Sequence, residues 1–208
     1  MDEQQLIAAA QRGSLDAFNE LVLAYQDRVY NLAYRILGDP AAAEDVTQEA
    51  FIAAYRTLNT FRGGSFLSWL LRTAANRCYD ELRRQKRRPT VSWEAFGELD
   101  EEANPFLVNG GPTPEEAAQQ AELSDFLQAA IQTLPPDQRV VLVLSDVEGM
   151  DYEQIARTLG VPLGTIKSRL ARARARLRAL LEARAELLPR AYRLKYDATA
   201  TQRNGNGQ

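Results

Sequence analysis

Between Gly164 and Arg178 the residue types suit a grip on nucleic acid. Phased as a helix at about 100° per residue, Ile166, Leu170, Ala173 and Leu177 fall on one apolar stripe. Gly164, Ser168, Ala171 and Ala175 lie opposite and are all small, and Lys167, Arg169, Arg172, Arg174, Arg176 and Arg178 fill the flanks. A narrow outer face of small residues can enter a major groove while the flanking cations hold phosphates. The residues upstream complete the pattern. Ala156 is small enough for two helices to cross closely, Gly160 stands four residues on, and Ile166 follows six further. That is the spacing of a DNA-binding helix-turn-helix. An ordinary solvated basic helix requires no such turn.

A second constellation lies on the stretch Phe66–Arg88. Leu67, Leu70, Leu71, Ala74, Cys78 and Leu82 share one face, which makes Cys78 a packing residue rather than a reactive thiol. The other face carries Trp69, Arg72, Thr73, Asn76, Asp80, Arg83 and Arg87. An aromatic, an amide and several guanidinium groups on one exposed face suit a strand with unstacked bases: a ring or Arg stacks, the amide reads a base edge, cations hold phosphates. The cluster Arg83–Arg88 extends the grip, and the loop Phe61-Arg62-Gly63-Gly64-Ser65 precedes the helix. The plainer reading is that Trp69 packs beneath a neighbour and the Arg cluster is solvated. Spacing alone weighs the two about equally.

A third face carries no chemistry but could take a protein. On Pro40–Asn59, Ala43, Thr47, Ala50, Ala54 and Leu58 look inward, whereas Asp45, Gln48, Glu49 and Ile52 share the other side with Arg56 below. Acids toward the N-terminus of a helix suit its dipole. An exposed Ile among acids suits a docking surface for a basic protein element. Both readings stay open at this point.

What the chain lacks narrows the chemistry. It has no histidine, which removes Ser-His triads, His-ligated metals and histidine acid–base catalysis. One cysteine makes neither an internal disulfide nor a multi-cysteine zinc site. No cofactor or metal is expected. The net charge of −3 is unevenly distributed. From Pro89 to Pro136 there are nine acids and no Lys or Arg, so the rest holds 25 bases against 28 − 9 = 19 acids, a balance of +6. Two basic ends flank an acidic middle that must avoid nucleic acid or imitate it. The longest apolar run, about Val140–Leu144, is far short of the roughly 20 residues of a membrane span. The N-terminus, Met1-Asp2-Glu3-Gln4-Gln5, has no secretory pattern, so a cytoplasmic location is expected.

The elements that must position these faces are helical. Gly13-Ser14 ends one short helix and caps the next, about Leu15–Leu37. Gly38-Asp39-Pro40 is a stop followed by a start, with Gly as C′, Asp as N-cap and Pro at N1. Ser65 caps the helix that Pro89 ends. Thr90–Gly111, with its Gly, Pro and acids, reads as a linker, though Trp93, Phe96, Phe106 and Leu107 are too many apolar groups for an inert tether. Thr113-Pro114-Glu115-Glu116 is a capping box opening a helix whose apolar face holds Leu123, Phe126, Leu127, Ala130, Ile131 and Leu134. After Pro135-Pro136, helices are predicted over about Asp137–Ser145, Asp151–Leu159 and Leu163–Arg184, and a disordered tail from Pro189. The prediction is an all-α chain of two small helical domains, 1–89 and 113–188, joined by a flexible acidic linker at 90–112, with a tail at 189–208.

These residues resemble the extracytoplasmic-function (group 4) sigma factors of the sigma-70 family. Ala43-Glu44-Asp45-Val46-Thr47-Gln48-Glu49-Ala50-Phe51 through Tyr55-Arg56 is similar to their polymerase-binding segment in region 2. Phe61-Arg62-Gly63, then Trp69-Leu70 with Asn76, Asp80, Arg83 and Arg84, resembles the segment that recognises and melts the −10 element. Leu134-Pro135-Pro136, Glu148-Gly149-Met150 and Gly164-Thr165-Ile166-Lys167-Ser168-Arg169-Leu170 with Arg172-Ala173-Arg174 is similar to region 4. The resemblance covers about residues 5–185 in order, with a gap at the linker. Asp151 stands where the family usually has Ser, and still serves as an N-cap.

The resemblance implies a sigma factor that binds core RNA polymerase and directs promoter-specific initiation. The first domain would dock on the β′ clamp coiled coil through Asp45, Gln48, Glu49 and Ile52. Phe61, Arg62, Ser65, Trp69, Arg72, Asn76, Asp80, Arg83 and Arg84 would serve the −10 element. Thr165, Lys167, Ser168, Arg169, Arg172 and Arg174 would read the −35 element in duplex form, and the acidic linker would follow the RNA exit path in imitation of RNA. The partners implied are core RNA polymerase (β′ clamp coiled coil and β flap), promoter DNA and an anti-sigma factor, with no membrane. The chain itself would perform no chemistry. One rival is a helix-turn-helix regulator acting as a dimer without polymerase docking, which leaves the first domain unexplained. Another is a DNA-processing enzyme such as a recombinase, which needs a nucleophile among cations or paired carboxylates, and none converges in the sequence.

Overall fold

The computed structural model describes residues 2–87 and 114–183, and among them the chain is all-α, with eight α-helices and no strand. The linker and tail predicted above, and Arg88, lie outside the described residues. The helices are α1 (Glu3–Gln11), α2 (Leu15–Leu37), α3 (Pro40–Thr57), α4 (Phe66–Arg87), α5 (Pro114–Gln132), α6 (Pro136–Leu142), α7 (Tyr152–Leu159) and α8 (Leu163–Ala183). The starts follow local chemistry. Ser14 accepts from Ala17 N–H, Asp39 from Ala42 N–H and Asp151 from Gln154 N–H. Such caps contribute about 1 kcal/mol each. Gly38 and Gly160 close α2 and α7 in the left-handed conformation, at φ 75° and 64°, where a Cβ is disfavoured.

Helices α1–α4 pack together. α2 is the spine, with Leu21, Val29, Leu32, Ala33 and Ile36 buried against α3 and α4. The predicted inward face of α3 is correct in Ala43, Ala50, Ala54 and Leu58, but Thr47 is only half-buried, and Val46 and Phe51 are buried beside them. On α4, Leu67 is half-buried and Ala75 is fully inside, so the core stripe is rotated slightly from the predicted one.

In the second half α6 is the centre. Gln138 through Leu144 are all buried, so this helix is covered on every side. The predicted helix Asp137–Ser145 is shorter as an α-helix and continues as a π-turn over Val143–Val147, closed by Glu148 N–H to Val143 C=O at 3.0 Å. The extra residue in this wider turn goes with Asp146 reaching α8 and Glu148 reaching α2. α7 and α8 form the helix-turn-helix, with Ile155, Leu159, Ile166, Leu170 and Ala173 buried between them and α6. One contiguous core of buried residues runs through both halves, from Leu6 to Ala173.

Candidate nucleic-acid interface

α8 presents the predicted faces. Ile166, Leu170 and Ala173 are buried, and Leu177 is partly buried against the same core. Gly164, Lys167, Ser168, Ala171, Arg172 and Ala175 are exposed, and Thr165 is half-buried at the start of the helix. The Ser168 hydroxyl donates to Thr165 C=O at 3.0 Å. Two of the predicted cations are otherwise engaged. Arg169 is drawn in toward α6 by Asp137, 3.0 Å from Nε, and its side chain is 18% exposed. Arg174 makes a bidentate pair with Asp146, at 2.9 and 2.6 Å. The hydrogen bond from Arg174 holds the Asp146 carboxyl below the usual range, and in return Asp146 raises the Arg174 pKa. Lys167, Ser168 and Arg172 are thus the exposed polar residues at the head of the helix. Phase alone could not separate them from Arg174, whose partner lies 28 residues upstream.

The loop before α4 is built by aromatic packing. Phe61, Phe66 and Trp69 form a triangle with ring centroids 5.6–5.7 Å apart. Trp69 is therefore half-buried under its own loop rather than freely exposed, which realises part of the plainer expectation for this residue. Gln11, at the end of α1, donates to the carbonyls of Leu58 and Phe61 at 3.0 and 3.1 Å and fixes the loop entry. Ser65 caps α4 through Ser68 N–H at 3.1 Å. Arg62, Ser65, Asn76, Asp80, Arg83 and Arg84 are exposed and Arg72 is half-buried. Arg83 lies over the Tyr79 ring, 5.9 Å from its centroid, and Arg84 pairs with Glu81 at 2.6 Å. Cys78 is buried, its thiol pushed up to about 12 by burial, and is inert packing.

Helix α7 lies against the α4 face. Trp69, Arg72 and Asn76 form one wall of a cleft of about 340 Å³, and Gln154, Arg157 and Thr158 form the other. This pairing is not legible in the sequence, because the two walls are some 80 residues apart (154 − 72 = 82 for Arg72 and Gln154).

The partner face of α3 is open. Asp45, Gln48 and Glu49 are exposed, Ile52 is 46% exposed, and Glu49 makes a long 3.8 Å pair with Arg77. These residues are part of a groove of about 1130 Å³ between α2 and α3, floored by Phe18, Val22, Phe51 and Tyr55. The contribution of α2, including the exposed Leu15, was missing from the sequence-based face.

Comparison with known proteins identifies the family. The family model Sigma-70 region 2 matches residues 21–88 and Sigma-70 region 4 matches 126–177. The RNA polymerase sigma-H factor of Pseudomonas aeruginosa is 40% identical over 173 residues, 83% of this chain and 90% of that protein. The ECF RNA polymerase sigma factor SigW of Bacillus subtilis is 36% identical, covering 84% and 94%. SigE of Mycolicibacterium smegmatis is 41% identical over 174 residues, 84% of this chain, though the match spans 65% of that longer protein. Among solved structures, the sigma factor RpoE of Bartonella quintana, solved with the anti-sigma factor NepR, superposes with a TM-score of 0.57 at 27% identity, covering 82% of this chain and 99% of that one. CnrH, solved with the cytosolic domain of CnrY, gives 0.54 at 27%, covering 88% and 99%. The chain belongs to the ECF sigma factors of the sigma-70 family, proteins that bind core RNA polymerase and direct it to promoters.

Proposed function

We propose a division of labour among three surfaces of this sigma factor. The α2–α3 groove takes the β′ clamp coiled coil, with Asp45, Gln48 and Glu49 meeting its basic side chains and Ile52 entering its apolar seam. The α4 face with Phe61, Arg62 and Ser65 captures an unstacked base of the −10 element, Asn76 reading its edge and Arg72, Arg83 and Arg84 holding phosphates. Lys167, Ser168 and Arg172, with Thr165, read the −35 element in the major groove. Arg169 and Arg174 stiffen α8 through Asp137 and Asp146 and lend their charge to the same surface.

The observation that carries this reading is the groove. A wide apolar floor rimmed by exposed acids, on the half of the chain that lacks the helix-turn-helix, has no use in a regulator that only binds operator DNA. The chain performs no chemistry in this reading; the polymerase does. It acts where polymerase acts, in the cytoplasm, and no helix among the described residues is long and apolar enough to cross a membrane. The β flap and an anti-sigma factor are further partners, the latter consistent with a similar sigma factor solved in such a complex. Adding the protein to core RNA polymerase with a promoter library tests the whole. Transcripts that start at a common −35/−10 pair are the expected result. Binding to palindromic sites without transcripts would favour the regulator.

A further inference from the structure

Each flank of α8 carries one arginine held by an acid of the segment before α7. On one side Asp137 of α6 lies 3.0 Å from Arg169 Nε. On the other, Arg174 donates twice to Asp146, from Nε to Oδ2 at 2.9 Å and from Nη2 to Oδ1 at 2.6 Å. The two pairs differ in exposure. The Arg169 side chain is 18% exposed and is a strut between α8 and α6. The Arg174 side chain is 51% exposed and that of Asp146 32%, so this pair stands at the surface, where a third group can reach it. The π-turn over Val143–Val147 carries Asp146 to that place.

Arg174 follows Lys167 by 174 − 167 = 7 residues, two turns on along the same flank and about 10 Å further down the helix. A helix whose first turn lies in a major groove about 12 Å wide therefore carries Arg174 to the rim, where the phosphates stand. A phosphate and a carboxylate use the same forked edge of a guanidinium, and only one of them can hold it. Asp146 is not stranded when Arg174 leaves, because the Ser145 hydroxyl also donates to it and its carboxylate is partly hydrated. Exchanging carboxylate for phosphate keeps the number of charge-assisted hydrogen bonds the same. What decides the exchange is how closely the DNA strand approaches.

We propose that Asp146 is a specificity-determining residue for the −35 reading assigned to α8 above, acting by competing with DNA phosphate for Arg174. In a loose complex on an unrelated sequence the carboxylate keeps the guanidinium, and the helix has one cation fewer for the backbone. When base contacts by Lys167, Ser168 and Arg172 seat α8 deeply, a phosphate comes within reach and takes Arg174. Non-specific binding is almost wholly electrostatic. Withholding one cation from it widens the difference between a promoter and the competing sites of a genome.

The test uses holoenzyme assembled with the full chain and two duplexes without a −10 element, one carrying the −35 element and one with those positions scrambled. Affinity is measured over a range of salt, where each phosphate contact adds about 0.9 to the slope of log K against log[salt]. Asp146→Asn keeps the size of the side chain and releases Arg174. It should steepen the slope on the scrambled duplex by about 0.9 and raise affinity there about 5- to 10-fold at about 0.1 M salt, while the slope on the −35 duplex keeps its wild-type value. Arg174→Ala should flatten the slope on the −35 duplex by about 0.9 and, combined with Asp146→Asn, abolish the gain on the scrambled one. Native helicity and binding to core polymerase are checked for each variant, and the Arg174→Ala arm decides alone where Asp146→Asn folds poorly. An unchanged scrambled-duplex slope in folded Asp146→Asn protein overturns the competition and leaves the pair a scaffold contact. So does a slope that Arg174→Ala flattens on both duplexes, since Arg174 then holds a phosphate in every complex. Failure of the −35 reading itself shows separately, as wild-type holoenzyme that binds the two duplexes equally well.

Discussion

Arg169, Arg172 and Arg174 lie within six residues of one helix and have different tasks. Two are held by carboxylates of their own half, while Arg172 is exposed beside Lys167 and Ser168. A bidentate base contact is worth about 1–3 kcal/mol. Arg172→Ala should therefore cut −35-dependent transcription by about 5- to 150-fold, leave binding to core polymerase intact, and spare a promoter that does not need a −35 element. Equal run-off yields from wild type and variant would remove Arg172 from the reading surface. Asn76 is the corresponding residue on α4. Its exposure means that Asn76→Ala leaves the helix packed and removes only edge contacts. Flipping a base costs a few kcal/mol, which the pocket must return by stacking and edge hydrogen bonds. The variant should form closed complexes normally and open them slowly, as read by a fluorescent base analogue in the −10 element. At this scale the sequence revealed the outward phase of Asn76, Lys167, Ser168 and Arg172, but not that Arg169 turns in toward Asp137. It did not reveal that Trp69 is folded under Phe61 and Phe66, because ring packing depends on how a loop doubles back.

Helices were the most legible feature, because their ends are written locally. Ser14, Asp39 and Asp151 each supply a side-chain oxygen to an N–H three residues on, and Gly38 and Gly160 terminate helices in the left-handed conformation. The π-turn at Val143–Val147 was not legible, since its reason is tertiary: it goes with Asp146 meeting α8 and Glu148 meeting α2. The acids of α3 can now be weighed. Dipole stabilisation fades beyond the first turn, and Glu49 is the tenth residue of a helix beginning at Pro40. Its exposed 3.8 Å pair with Arg77 adds little. The docking role proposed for Glu49 and the half-exposed Ile52 does not depend on either effect. Glu49→Lys and Ile52→Ala should each reduce co-purification with core polymerase while leaving the melting temperature within a few degrees of wild type. If both co-purify normally, the groove is not the docking surface.

At the scale of the molecule the sequence suggested two units on a tether, and the structure joins them. A break in periodicity and a run of acids mark a connection in the chain, but they carry no information about whether the units touch. The contact lives in Gln128, Gln132, Arg139 and Glu148, whose sequence positions alone do not say that α2 lies beside them. One contiguous buried core crosses the joint, and residues on both sides lose their burial together if it parts. Such coupling has a thermodynamic signature. Two units that share a core and its hydrogen bonds unfold as one cooperative system, whereas independent units melt separately. Differential scanning calorimetry of the full chain near neutral pH should give a single transition whose calorimetric and van't Hoff enthalpies agree. In Arg28→Glu the like charge facing buried Glu148 opposes closure, so the transition should broaden or split, the region 4 half melting first. Salt should matter in the same sense, since Arg28 is solvent-exposed and its attraction to Glu148 is partly screened. Two resolved transitions in the wild-type protein at low ionic strength would mean that the halves are thermodynamically separate despite their contact, and that the shared core couples them too weakly for cooperative unfolding.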